Sequence, residues 1–156
     1  MNISTNIFSG TQYFIFFTSL QTFNATTISI VTGDTGVSNA TIIKFGLYSI
    51  DNSNNANLVA YTDNNTSLLS SPYTLYSSIF STNANYIVQN GSRYAISFLI
   101  IANIMPTIYG IQNIGFLTNL SPKINGISDN SQNDLIAMIE DINIVANNNI
   151  QWIKLS

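Results

Sequence analysis

Short stretches rich in β-branched and aromatic residues recur along this chain, and each is bounded by a cluster of Asn, Asp, Gly or Ser. That alternation of apolar segments with turn chemistry is the signature of an antiparallel sandwich or barrel. Read this way, residues 12–18, 26–32, 42–50, 57–62, 73–79, 85–89, 93–102 and 150–155 are strands. The chain is predicted to be all-β, and its 156 residues suit one domain with a core large enough to fold unaided. Residues 1–41 are the segment expected to supply attachment or assembly strands.

Alternation sorts the faces of segment 42–50. Ile43, Phe45 and Leu47 fall on one side, and Lys44, which needs water, marks the other as outward. Tyr48 then stands on that outer face, either as rim decoration or in a subunit contact. In 93–102 the run Ala-Ile-Ser-Phe-Leu-Ile-Ile-Ala is apolar at nearly every position, as in a central strand covered on both faces or one that continues into an interface. One stretch, 133–142, fits a short helix: Asn133 or Asp134 caps it, and Leu135, Met138, Ile139 and Ile142 form a stripe at helical spacing. The same letters also fit a strand with Leu135, Ala137 and Ile139 facing inward.

Charged residues are only 7% of the composition, against roughly 25% in ordinary soluble domains. The apolar share, 46%, is normal, so Asn, Ser and Thr replace the usual ionic surface. With Lys44, Arg93, Lys123 and Lys154 as its cations and a net charge of -3, the chain cannot lay a basic stripe along a phosphate backbone, which argues against nucleic acid. So little like-charge repulsion favours self-association. The longest apolar run, 95–105, is interrupted by Ser97 and Asn103 and is shorter than the ~20 residues of a membrane helix. The N-terminal residues lack the positive region of a secretory signal, so the expected product is complete, soluble and unprocessed, and triplets such as Asn24-Ala25-Thr26 are read as chance occurrences of a glycosylation motif.

Histidine and cysteine are both absent. Their absence removes the usual general base near neutral pH, the commonest zinc ligand, the thiol nucleophile and any disulfide. Carboxylates remain, and a glycosidase needs only a pair of them. The acids are Asp34, Asp51, Asp63, Asp129, Asp134, Glu140 and Asp141; Asp34, Asp51, Asp63 and Asp129 lie in or beside Gly- and Asn-rich turns, where Asp accepts backbone N–H bonds. Asp51, Ser53 and Asn55 space their oxygens like the start of a calcium loop, but the glycine such a loop needs is Ala56 and no Glu closes it. The segment is read as a connector, as is Thr32–Gly36, and neither metal nor cofactor is expected. Tyr61, Tyr73, Tyr76, Tyr86, Tyr94, Tyr109 and Trp152 are rigid amphipathic rings suited to cores, interfaces or sugar stacking. Tyr73, Tyr76 and Tyr109 lie near loops and are the candidates for ligand contact.

As a whole, 44–102 resembles a β-sandwich module of tailed-bacteriophage structural proteins, such as tail fibres, head fibres and receptor-binding proteins. The words that carry it are Gly46-Leu47-Tyr48, Leu58-Val59-Ala60, Thr66-Ser67-Leu68, and Gly91 with Arg93-Tyr94-Ala95. The resemblance implies a trimeric or otherwise symmetric virion component without catalytic machinery. Independently, Asn90-Gly91, the strongest short hairpin signal, gives a tight turn into the next strand, and Arg93, at a strand start, is read as tying down a neighbouring loop through its fork of donors. The expectation is a jelly-roll β-sandwich, homotrimeric, partnered by itself and other virion proteins, with host glycans as a secondary ligand and no membrane insertion. Two rivals stand beside it: a monomeric carbohydrate-binding module and a glycoside-active enzyme using Asp pairs.

Overall fold

Ten strands pair as a ribbon folded back on itself. In the computed structural model, which describes residues 3–112, 122–129 and 131–156, they are β1 (Ile3–Asn6), β2 (Gln12–Thr18), β3 (Phe23–Ala25), β4 (Thr27–Val31), β5 (Ser38–Ile50), β6 (Ala56–Tyr61), β7 (Leu75–Ile79), β8 (Tyr86–Val88), β9 (Arg93–Ile104) and β10 (Thr107–Gln112). β5 pairs with β6, β4 with β7, β3 with β8, β2 with β9 and β1 with β10, all antiparallel. Rolling this ribbon brings β5 against β9. Such nesting of long-range pairs around one hairpin is the jelly-roll arrangement.

Four short strands complete the layers: β11 (Asn125–Ile127), β12 (Met138–Ile139), β13 (Asn149–Gln151) and β14 (Ile153–Leu155). One layer is a six-stranded sheet in the order β11-β2-β9-β5-β6-β12. The other holds β1-β10-β13 and β14-β4-β7, which meet where Thr32 bridges Ile108, together with β3-β8, whose β3 runs through Thr26 into β4. Only Trp152 separates β13 from β14, so one stretch of chain pairs with β10 at its start and with β4 at its end.

Between the layers lies the main core. Tyr13, Ile43, Phe45, Leu47, Ile96, Phe98 and Ile100 meet Ile28, Ile30 and Ile108 there, and the inward set predicted for β5 is the inward set found. A second apolar cluster covers the opposite face of the six-stranded sheet, where Phe14, Phe16, Tyr48 and Ala95 pack under Ile139 and Ile144. β9 is therefore covered on both faces, and from Ala95 to Ile100 every residue is buried. Each large side chain so buried contributes about 1.5–3 kcal/mol.

That second cluster corrects two expectations. Tyr48 is on the face opposite Leu47, as alternation requires, but it is 0% exposed rather than at a rim. Its hydroxyl donates to the Ile136 carbonyl at 2.7 Å and accepts from Gln12 Nε2 at 2.7 Å. Gly46 makes room for this: a Cβ there would stand 3.0 Å from the Tyr48 ring and 2.9 Å from Leu58. The helix at 133–142 does not form. The Ile136 N–H goes to Gln12 Oε1 at 3.0 Å and the Ala137 carbonyl to the Leu58 N–H at 2.8 Å, so sheet residues take the backbone groups a helix would use internally. Of the helical stripe only Ile139 is buried, while Met138 and Ile142 are exposed; the segment instead supplies β12 and a single 3-10 turn at Asp141–Asn143. Ala137, inward in the strand reading, is exposed.

Candidate functional site

The connector between β5 and β6 closes on its own aspartate. Asp51 Oδ1 accepts the N–H groups of Ser53 at 2.8 Å and Asn55 at 2.9 Å, Oδ2 accepts Asn55 Nδ2 at 3.1 Å, and Asn54 adopts φ 63°. The Asn55 N–H and its companions hold this carboxyl below its usual range. A carboxylate ringed by donors is a turn-former, and the donors occupy the positions a cation would need. Among the described residues, His, Cys, Asp and Glu nowhere gather in a group of three or more able to hold a metal ion.

Gly91, Arg93 and Tyr94, three of the residues that carry the resemblance, are structural ties. Gly91 takes φ +77° in a turn where the Ser92 N–H donates to the Gln89 carbonyl, the geometry of a type II turn. This turn does not make a hairpin: β8 pairs with β3 and β9 with β2 and β5, so it carries the chain from one layer to the other. Arg93 then donates Nη1 to Asn54 Oδ1 at 2.9 Å and Nη2 to the Lys123 carbonyl, with its guanidinium 5.0 Å from the Phe16 ring centre. One arginine thereby fastens the β5–β6 connector and the segment that covers the sheet. Tyr94 is buried, stacks on Phe17 and accepts the Gln89 N–H at 3.0 Å.

Two of the other turn aspartates, Asp34 and Asp129, are similarly engaged. Asp34 accepts Thr107 Oγ1 at 2.7 Å and Asp129 accepts Ser131 Oγ at 2.9 Å, and these bonds hold both carboxyls below their usual range. Burial raises the Asp134 pKa, but the Lys44 ammonium at 2.7 Å and the Leu135 N–H outweigh it and leave the group lowered. A carboxyl held low does not supply the proton that a glycosidase acid must give. Asp129 and Glu140 do share the lining of an ≈ 810 Å³ surface cleft between residues 128 and 145, together with Gln132 and Ile142.

The three tyrosines proposed for ligand contact do not converge on the cleft that Tyr109 lines. Tyr73, 67% exposed and at φ 51°, sits in the turn before β7. Tyr76 uses its hydroxyl to accept the Ser71 N–H at 2.8 Å and so braces that same turn. Tyr109 lines a cleft of ≈ 440 Å³ with Ile15, Ile111 and Trp152. Two further sections, of ≈ 400 and ≈ 420 Å³, continue it along β14 past Phe17, Phe23 and Leu155. The result is an apolar trough where the two layers part between β2 and β13–β14. Trp152, 43% exposed, stands at its mouth and was not among the tyrosines singled out. Alternation could have found it, because Lys154 marks the outward face that Trp152 shares. No protein-family model matches this chain, and the search of curated proteins likewise returned no match.

Proposed function

We propose that this chain is a non-enzymatic structural subunit of a virus particle, a phage fibre or capsid-decoration component that assembles symmetrically. The observation that carries this reading is the character of the surface. Eleven residues in 156 are charged, while large apolar side chains stand in water: Leu20 at 91%, Ile142 at 84% and Ile79 at 72% exposure. Such a surface lacks the repulsion that keeps monomers apart and offers apolar contact in its place. The resemblance over 44–102 supports the virion setting, and the ties made by Arg93, Gly91 and Tyr94 fit a module selected for rigidity. Light scattering across a hundredfold concentration range, with electron microscopy of the product, tests it. A closed symmetric oligomer is expected; a monomer at every concentration overturns the reading.

A second reading, glycan binding, is favoured by one observation: Trp152 and Tyr109 line one cleft, and exposed aromatic faces are what sugar rings stack on. Trp152 is the chain's one tryptophan, so its fluorescence reports directly on that cleft. Saturable quenching or a blue shift on adding oligosaccharides, lost in Trp152→Ala, supports this role; an unchanged spectrum across a glycan panel removes it.

A further inference from the structure

Of the strands at the ends of their sheets, β1, β3, β7, β8, β11, β12, β13 and β14, β7 is the longest, with five residues against four or fewer in the others. It pairs on one side with β4. The Thr32 N–H donates to the Thr74 carbonyl and the Phe80 N–H to the Thr26 carbonyl, which fixes the phase of the ladder. Residues 74, 76, 78 and 80 turn their backbone groups toward β4, so Leu75, Ser77 and Ile79 turn theirs outward. Among the described residues nothing pairs with that edge.

Natural sheets blunt such edges with lysine, proline or a bulge. The strand Leu-Tyr-Ser-Ser-Ile has none of these, and the side chains of its outward-bonding residues are exposed, Leu75 by 59% and Ile79 by 72%. Those residues also read the same in both directions in chemical type: branched apolar, hydroxyl, branched apolar. A two-fold axis through Ser77 places Leu75 opposite Ile79 of a second copy and each Ser77 opposite the other. The nearest charge on the outer face in that row is Lys154, which pairs with Ser29, the partner of Ser77. Across the axis the two ammonium groups are five strand spacings apart, roughly 24 Å. That distance exceeds the ~8 Å screening length at physiological salt, so these two charges do not oppose the contact.

We infer that the β7 edge joins a second copy of this chain by antiparallel strand pairing about Ser77, extending the second layer across two subunits. The inference rests on the assembly reading and gives it one specific two-fold contact. A five-residue edge covers less than the ~1,200 Å² of a standard interface, which makes this a weak, reversible contact suited to repetition in a large assembly.

Because the chain lacks cysteine, Ser77→Cys traps the pairing without ambiguity: directly opposed residues in an antiparallel pair lie within disulfide reach. S77C should oxidise to a covalent dimer at least tenfold faster than S53C, whose cysteine sits on the exposed β5–β6 connector, and adding L75K should remove that advantage. On the unmodified chain, amide exchange at Leu75, Ser77 and Ile79 should slow as concentration rises. If light scattering shows association while those amides exchange at a constant rate, or while S77C crosslinks no faster than S53C, the β7 contact is wrong and the assembly reading stands. A chain that stays monomeric throughout overturns both.

Discussion

Tyr48 shows how one hydroxyl can decide whether a covering segment stays down. Its two hydrogen bonds, to Ile136 and from Gln12, lie in a buried network that also includes Ser97, which accepts from Gln12 Nε2 at 2.7 Å. Tyr48→Phe keeps the ring and its edge contact with Phe14 but strands the Ile136 carbonyl. A loss of about 1–3 kcal/mol is expected, read from the urea midpoint. Burial also pushes the Tyr48 hydroxyl well above its usual range. Its folded pKa exceeds the unfolded one, so this contribution is complete below about pH 10 and is lost as pH rises further. Gly91 makes a contrasting case. Nothing lies within 4 Å of a Cβ placed there, so Gly91→Ala meets no clash and costs only the left-handed backbone, about 1–2 kcal/mol by the same measurement. Sequence alone gave the side of the sheet on which Tyr48 stands, because Lys44 fixes the alternation. It did not give the burial, because the cover arrives from residues about ninety positions later.

At the scale of elements, residues 122–129 and 131–145 are joined to the six-stranded sheet by the short strands β11 and β12 and by a set of side-chain ties. Arg93 holds the Lys123 carbonyl, Lys123 pairs with Asp141 at 2.8 Å, and Gln12 and Tyr48 hold Ile136. Arg93→Lys keeps the charge but loses the fork that reaches two loops at once. Amide exchange at Ile136 and Ile127 is expected to accelerate about tenfold, with Ile96 in the central strand unchanged; equal acceleration at all three would mean that the segment does not open on its own. The helix expected at 133–142 fails for the same reason: its periodicity is real, but the backbone partners are supplied by another part of the chain. β10 was missed for a different one. Gly110 interrupts the apolar alternation of Thr107–Gln112, and the glycine is there because a Cβ would stand 2.3 Å from the Ile150 carbonyl oxygen. Strands marked by continuous β-branched or aromatic character, such as β2, β5 and β9, were legible, and so were β8, β13 and β14 at three residues each; β3 (Phe-Asn-Ala) and β11 (Asn-Gly-Ile), equally short, lack that character.

For the molecule as a whole, the lack of histidine sets the pH behaviour. No side chain has its ordinary pKa between pH 5 and 8, so stability is expected to be flat across that interval. Asp34, Asp51, Asp129 and Asp134 have folded pKa values below their unfolded ones. Their contributions are present above about pH 4 and are lost as pH falls through the folded values. Urea midpoints measured from pH 8 down to pH 2 should show a plateau followed by an acid decline; a step near pH 6.5 would contradict this. The candidate sites were legible only in part. Loop position pointed to Tyr109; Trp152 is marked as outward only by its alternation with Lys154, and the trough the two rings share is made by layers parting.

The wedge of residues 149–155 between β10 and β4 has a consequence for how the protein is made. These residues follow every other described strand in the chain, yet they seal a seam in the middle of a layer. Before they have been synthesised, a nascent chain has nothing from this segment to set beside Ile15, Phe17 and Phe23. Of the described strands these close the layer last, and a variant lacking residues 149–155 is expected to be adhesive along that flank.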